Sequence, residues 1–431
     1  MSPEVVGIIG LAVLIVLLFL RMWIGFAMAF VGFFGYAFLE GFKPAFGIVG
    51  TVPYSTVAFY PVTVVPLFIL MGVIVANTGV SGDLYNAAYK WVGHLRGGLA
   101  MATILACAGF AAITGSSSAG AVTMGKVALP EMKRYQYDDS MATGCVASGG
   151  TLGILIPPSL GFILYGILTE QSVGMLFMAG ILPGLLLTAL FIITIVVITA
   201  RRPQAGPPGP KTGFKEKVIS LKQTWQVLVL FLLVLGGIYL GVFTPTEAGA
   251  VGAFGAILIT LLTRRLTSRI FVDSILDAGL TTAMVLMLLI GAFISMRFLA
   301  VTKLPFLLAE TIGQLQLSPY ALITAITIFY LIVGMFLDIF SGITLTLPII
   351  YPTITALGFD PIWFGVLMVL VMEMGLVTPP VGLNVFVLAG VTDVPLSTIF
   401  RGVLPFVAAM IICVIIITLF PEIALFIPSM M

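Results

Sequence analysis

Long apolar blocks, Gly7 to Leu20, Ile181 to Ala200 and Phe406 to Leu419 among them, alternate along this chain with short polar turns. Blocks of that length with almost no charge predict helices that cross a hydrocarbon core about 30 Å thick. In the first half the pattern predicts helices over 4–20, 22–40 and 50–77, then an interfacial amphipathic segment from Ser81 to Arg96 with Trp91 as anchor. The next stretch does not read as a simple span. Leu99 to Thr114 is apolar, Gly115 to Gly120 reads GSSSAG, and Ala121 to Leu129 is too short to cross before Lys126, Lys133 and Arg134 return the chain to the side it came from. A re-entrant helical hairpin satisfies this pattern, its small polar tip buried in protein near mid-membrane. Met141 to Leu168 is long enough to cross but carries GTLGILIPPS at its middle. Paired prolines remove two amide donors and clash with the preceding turn, so the helix is expected to break there. Glu170 to Ala179 is expected at the outer interface, and Gly180 to Ala200 as the closing span.

The second half repeats this order. Spans are expected near 226–241, 247–262 and 273–295, then an interfacial stretch from Arg297 to Gln316. A hairpin follows, with arms Ala321 to Phe336 and Ile343 to Tyr351 about the tip Leu337 to Gly342. Then come a helix from Pro361 to Leu388 broken at EMGLVTPPVGLN, an amphipathic piece through Arg401 and a span from Leu404 to Phe420. Gly120 to Pro183 and Gly342 to Pro405 align without a gap at an offset of 222 residues. All four prolines of the first copy (Pro130, Pro157, Pro158, Pro183) meet prolines of the second (Pro352, Pro379, Pro380, Pro405), and Gly120, Gly153 and Gly180 meet Gly342, Gly375 and Gly402. Residues that decide backbone geometry recur, while most of the rest differ. Paired segments interrupted by Gly and Pro in two halves of a membrane protein point to a transporter's binding site.

Composition agrees with a polytopic membrane protein, at 60% hydrophobic and 8% charged residues in 431. The longest polar stretch, Arg201 to Gln223, reads as a linker with no core of its own, which divides the chain into repeats at 1–200 and 225–431 about a linker at 201–224. The first apolar run, after Glu4, lacks a basic start and a small-residue cleavage site and reads as a retained helix. Cys107, Cys145 and Cys413 lie far apart in apolar surroundings and read as packing thiols, and His94 belongs to an interfacial patch from Lys90 to Arg96. Alternating the sides of successive spans collects Arg21, Lys90, Arg96, Lys126, Lys133, Arg134, the basic residues of the linker, Arg264, Arg265, Arg269 and Arg401 on one face. Only Lys43, Arg297 and Lys303 fall on the other. The basic face is then cytoplasmic and both termini lie outside. The same parity places the bases of the two hairpins on opposite sides, so the repeat is inverted. The expected fold is an all-α polytopic membrane protein with two re-entrant hairpins and two broken helices.

Tips and breaks leave backbone groups that hydrocarbon does not satisfy, so they must face each other or water. Unwound carbonyls and helix C-termini suit a small cation, and helix N-termini suit a carboxylate. The residues at these points are Ser116, Ser117, Ser118, Gly150, Thr151, Gly153, Pro157, Pro158 and Ser159 in the first half. In the second they are Asp338, Ser341, Gly342, Thr344, Gly375, Thr378, Pro379, Pro380 and Asn384. Hard oxygen donors without soft ligands favour sodium over a transition metal. Asp338 and Glu373 are the two acids expected deep in the membrane, where an ionisable residue is costly and by default functional. Glu247, in TPTEAGA, is expected to open a helix at the outer interface. No P-loop or other nucleotide or hydrolase motif is present, which argues against an enzyme or an ATP-driven pump. Two isolated acids also argue against a channel, which should carry a ring or chain of ionisable groups.

TGSSSAGAV followed by Pro-Glu-Met and GTLGILIPPS, with LDIFSGITLTLP and GLVTPPVGLN in the second half, resembles the large membrane subunit of the tripartite ATP-independent periplasmic (TRAP) transporters. The resemblance spans nearly the whole chain. It implies sodium-coupled uptake of an organic acid, a dicarboxylate, a sialate or a similar carboxylate, across a bacterial inner membrane. It implies an elevator mechanism in which hairpins and broken helices move against a scaffold of the remaining helices. It also implies two partners, a four-helix small membrane subunit and a periplasmic substrate-binding protein that delivers the substrate. No four-helix extension precedes residue 4, so the small subunit is expected to be a separate chain. Carried over residue by residue, one sodium site falls at Ser116 and Ser117 with Gly153, Pro157 and Pro158. The other falls at Asp338, Ser341 and Gly342 with Gly375, Thr378 and Pro380, and substrate lies near Ser118, Ser159, Asp338 and Asn384. The alternative is a stand-alone sodium/carboxylate symporter of the same superfamily, which needs no binding protein.

Overall fold

The computed structural model describes residues 1–314 and 318–431, and every regular element among them is helical. The first half opens with α1 (Pro3–Phe19), α2 (Ile24–Glu40), α3 (Phe42–Val57) and α4 (Val64–Asn77). The expected helix over 50–77 is therefore two pieces. The chain leaves α3 at Ala58 and turns through a short 3-10 segment, Tyr60–Thr63, whose first turn holds Pro61. Proline fits a helix start and not a helix interior, so Pro61 begins the next element and does not kink the last one. Then α5 (Val80–Val92) forms the amphipathic segment, ending short of His94 and Arg96.

The hairpin is α6 (Gly98–Thr114) and α7 (Ser117–Arg134), joined through Gly115 and Ser116. The broken helix is α8 (Asp139–Gly150), α9 (Leu152–Leu155) and α10 (Leu160–Thr169). Every residue from 141 to 169 is buried, so this span lies in protein on all sides. The interfacial piece and span expected over 170–200 are instead one helix, α11 (Val173–Arg201), capped by Ser172 and continuous through Pro183.

The linker is more ordered than its composition indicates. It contains α12 (Phe214–Gln223), packed on α5, and its backbone is tied to the turn after α5 by Gly97 N to Gly206 O at 2.8 Å and Gly209 N to Gly93 O at 2.8 Å. Thr212 Oγ1 donates to Lys90 O at 2.7 Å, and Trp91 Nε1 to Lys217 O at 3.2 Å. Two pairs of glycines let the backbones approach, and no hydrophobic core is required.

The second half begins with α13 (Trp225–Phe231), a π-helical turn (Leu232–Gly236) and α14 (Gly237–Tyr239), bent by 52° from α12. Next come α15 (Pro245–Leu262), α16 (Ser268–Thr302) and α17 (Leu304–Gln314). The interfacial stretch expected over Arg297 to Gln316 is split between the end of α16 and α17, and its last residues, Leu315 and Gln316, lie outside the described residues. The second hairpin is α18 (Pro319–Phe336) and α19 (Ile339–Ala356), and the second broken helix α20 (Pro361–Gly375) and α21 (Leu383–Ala389). The amphipathic piece and final span merge into α22 (Leu396–Leu419), before the short α23 (Glu422–Leu425). The starts of α7 and α19, Ser117 and Ile339, stand at the 222-residue offset, as do their ends, Arg134 and Ala356.

Among the described residues, eight helices are long and apolar enough to cross a membrane, nine if the bent pair at Thr224 is one span. Packing among the helices, shorter ones included, marks out two groups. In the first, α1, α2, α3 and α16 lie together, and α2 presents Phe26, Phe30, Phe34 and Phe38 outward. In the second, α22 packs on α8 and α11, and α20 on α18, so α11 and α22 belong with the hairpins and broken helices. At the α8–α22 crossing the backbones touch at Gly144 and Gly402, where neither position has room for a Cβ. The three cysteines are buried, Cys145 donating to Ala100 O at 3.2 Å.

Glu247 stands where its sequence context placed it. Thr244 N donates to its Oε2 at 2.8 Å and Glu247 N to Thr244 Oγ1 at 3.3 Å, a complete capping box at the start of α15. Thr244→Ala is expected to remove about 1 kcal/mol from this helix end, read as a lower thermal midpoint of the purified complex with unchanged uptake.

Candidate functional site

Both hairpin tips rest on the broken helix that follows them in the chain, and glycines make the contact possible. At the first tip Gly115 turns the chain with φ +59°, a conformation that favours glycine. A Cβ there would meet Pro158 O at 2.8 Å. A Cβ on Gly153 would meet Ser116 O at 2.5 Å, and one on Gly150 Ser117 O at 3.0 Å. Backbone carbonyls of Ser116 and Ser117 thus lie against the α8–α9 junction at Gly150 and Gly153, and that of Pro158, in the break itself, lies against Gly115. Ser116 also caps α7 through Ala119 N at 3.4 Å, and Ser159 caps α10 through Phe162 N at 3.3 Å. The sequence predicted Ser116, Ser117, Gly153, Pro157 and Pro158 as one group, and the structure brings Ser116, Ser117, Gly153 and Pro158 together, with Pro157 joined to Pro158 by a cis bond. Gly115 was not among the predicted ligands, although its place at the start of GSSSAG is the signal for such a turn.

At the second tip Asp338 caps α19. Its Oδ2 accepts from Phe340 N at 3.1 Å and Ser341 N at 3.4 Å, and its Oδ1 accepts from the Ser341 hydroxyl. Gly375 approaches the backbone of Gly334 and Met335, and Gly334 approaches Met372 O, so α18 and α20 touch where the second break begins. Gly342 faces the Met372 side chain and not the break itself. Thr378 Oγ1 donates back to Met374 O at 2.6 Å. Of the predicted second group, Asp338 and Ser341 are directly bonded, whereas Gly375 meets the arm of the hairpin, Thr378 is tied back to the end of α20, and Pro380 lies in the exposed turn of the break. Gly334 was not predicted; its 222-offset counterpart is Ala112, so the repeat gave no signal for it.

The two halves meet through Asn384. Its Nδ2 donates to Ser117 Oγ at 2.5 Å and its Oδ1 accepts from Ser118 Oγ at 3.1 Å, joining the first tip to the second broken helix. Asn384 is fully buried and its own N–H is held by Leu376 O at 3.0 Å. The reciprocal contact is apolar, Gly161 beside the Ile339 side chain, which sets the start of α10 against the second tip. Of the four residues predicted around substrate, Ser118 and Asn384 are thereby paired, while Ser159 and Asp338 flank the Gly161–Ile339 contact. Glu373 lies in the same region. It is fully buried beside Ser117, and neither of its oxygens is hydrogen-bonded. The breaks also differ in access, since Pro157, Pro158 and Ser159 are buried while Pro379 and Pro380 are exposed.

The family profile described as "Tripartite ATP-independent periplasmic transporter, DctM component" matches residues 11–423. The chain belongs to this family. Among its relatives, the C4-dicarboxylate TRAP transporter large permease protein DctM of Pseudomonas aeruginosa is 37% identical, over 87% of this chain and 88% of its own. The sialic acid TRAP transporter large permease protein SiaM of Vibrio cholerae is 32% identical over 85% and 86%. The isethionate TRAP transporter permease protein DctMQ of Oleidesulfovibrio alaskensis is 32% identical over 99% of this chain and 70% of its own. Among solved structures, the Alcanivorax borkumensis YdaH transporter superposes with a TM-score of 0.65 at 15% identity, covering 88% of this chain and 89% of that one. This DctM component therefore has an all-α polytopic transporter fold, an inverted repeat of hairpins and broken helices. It is a transporter permease and not an enzyme, and its family works with a small membrane subunit and a periplasmic binding protein.

Proposed function

We propose that this DctM component is the translocating subunit of a sodium-coupled importer of an organic acid. The observation that carries the reading is the junction of both halves at Asn384, where the Ser117 and Ser118 hydroxyls of one tip bond the buried side-chain amide just past the other break. Carbonyls gathered at Ser116, Ser117 and Pro158 suit one sodium ion, and the Asp338–Ser341 tip with the Gly375–Pro380 break a second. The substrate carboxylate is met near Ser118, Ser159, Asp338 and Asn384 by hydroxyls and by the helix starts of α7 and α10. The relatives' dicarboxylate, sialic acid and isethionate share an anionic group, and the proposal for this chain is an organic acid of that kind. Because such donors read the acid group and little else, substrate choice rests with the binding protein.

The proposed division has repeats at 1–200 and 225–431 and a cytoplasmic segment between them, with both termini in the periplasm. The hairpins, broken helices, α11 and α22 move as one body against α1, α2, α3 and α16 in an elevator step. Partner dependence is the first test. Vesicles containing this chain alone are expected to take up less than about a tenth of the organic acid taken up with the small subunit and binding protein present. Equal uptake by the isolated chain would favour a stand-alone symporter instead.

A further inference from the structure

Outside the tips, the membrane face richest in basic residues holds a crevice of about 330 Å³ between the end of α11, the start of α8 and α22. Arg201, Arg202 and Arg401 line it together with Asp138, and it adjoins a wider depression of about 670 Å³ that shares Asp138, Arg201 and Arg202. None of these arginines forms an ion pair among the described residues. The one carboxylate on the wall is already engaged as a helix cap, Asp138 Oδ1 accepting from Met141 N at 3.1 Å. Three guanidinium groups thus face a concave surface with one carboxylate between them, an arrangement that concentrates positive potential.

The crevice is built by the fold. Contact at Gly144 and Gly402 brings α8 and α22 together, and the linker turn after α11 closes one side, with Ala205 N on Arg202 O at 3.0 Å and Asp138 N on Ala205 O at 3.1 Å. Below the arginines the walls are apolar, formed by Ile198, Met141 and Pro405. Arg201 and Arg202 stand at the end of α11 and Arg401 near the start of α22, both helices long and apolar enough to span a membrane, where a basic rim meets headgroups. Guanidinium pairs bind phosphate oxygens with bidentate geometry, and basic pockets between spanning helices suit anionic headgroups.

We propose that this crevice binds the phosphate of an anionic phospholipid, with the glycerol and first acyl carbons on Ile198, Met141 and Pro405. Because α8 and α22 belong to the body that carries the hairpins and broken helices, the lipid is bound to that body and not to the α1–α2–α16 group.

Native mass spectrometry of this chain in complex with its small subunit tests the proposal, titrating phosphatidylglycerol or phosphatidylcholine into detergent. The wild-type complex is expected to retain phosphatidylglycerol in preference to phosphatidylcholine. R201Q/R202Q/R401Q is expected to weaken that retention by about a hundredfold, and K133Q/R134Q, on the same face outside the crevice, to leave it unchanged. R401Q alone, which spares α11, should weaken it by several-fold if the triple variant does not assemble. Millimolar inorganic phosphate is expected to compete partially. Undiminished phosphatidylglycerol retention by the variants would overturn the proposal. So would phosphate binding without any preference for phosphatidylglycerol over phosphatidylcholine, or loss of the small subunit from R201Q/R202Q/R401Q with lipid retention intact.

Discussion

Gly153→Ala and Gly375→Ala are each expected to reduce uptake at least about tenfold, while Gly47→Ala leaves it unchanged. A methyl group on Gly153 would stand 2.5 Å from Ser116 O, and one on Gly375 would press on the backbone of Gly334 and stand 2.7 Å from Met335 N. Backbone does not swing aside as the end of a flexible side chain does, so the first tip, or at Gly375 the hairpin arm α18, must separate from the broken helix, at a cost of about 1–3 kcal/mol for overpacking. The separation also disperses the carbonyls at the first tip. Gly47, in α3, has open space where its Cβ would be, and there alanine favours the helix. Initial uptake rates in proteoliposomes, with expression and thermal midpoint measured in parallel, separate this local effect from misfolding. Normal uptake by Gly153→Ala would mean that the contact between tip and break is not needed for transport.

Asp338→Asn is expected to raise the sodium concentration for half-maximal uptake about tenfold, the scale of one charge-assisted hydrogen bond. Asparagine offers one acceptor oxygen where Asp338 offers two, so it does not hold the Ser341 hydroxyl and the Phe340 and Ser341 N–H groups together. With one acceptor oxygen in place of two, the second tip holds either the α19 N–H groups or the Ser341 hydroxyl, and it loses its negative charge. Glu373→Gln preserves shape at a buried side chain that makes no hydrogen bond, and its effect on sodium dependence is expected to be smaller. Identical sodium dependence of wild type and Asp338→Asn would remove Asp338 from the cation site.

The repeat was legible because hairpins and breaks are written in residues that dictate backbone geometry locally. A serine-rich tip after Gly115 and a double proline at Pro157 and at Pro379 bend the chain whatever surrounds them. Asn384 was also legible, as an amide one turn beyond a break. Positions set by tertiary contact were not. Pro61 and Pro183 are both prolines in apolar runs, yet one starts a new element and the other sits inside the continuous α11. The linker looked unstructured because its order comes from backbone pairing of Gly206 and Gly209 with Gly97 and Gly93, which no periodicity announces. The unequal access of the two breaks follows from how the halves pack. Nothing in the proline pairs themselves distinguishes buried Pro158 from exposed Pro380.

The central claim is that the joined tips and breaks couple sodium to organic-acid uptake. It is tested most directly in proteoliposomes holding this chain, its small subunit and the loaded binding protein, at a clamped membrane potential, with wild type and Asn384→Ala compared. The account predicts wild-type uptake that requires an inward sodium gradient and stops when potassium replaces sodium. It predicts that Asn384→Ala, which releases Ser117 and Ser118, loses that uptake at least about tenfold. Wild-type uptake that continues undiminished in potassium, or full sodium-driven uptake by Asn384→Ala, would contradict it.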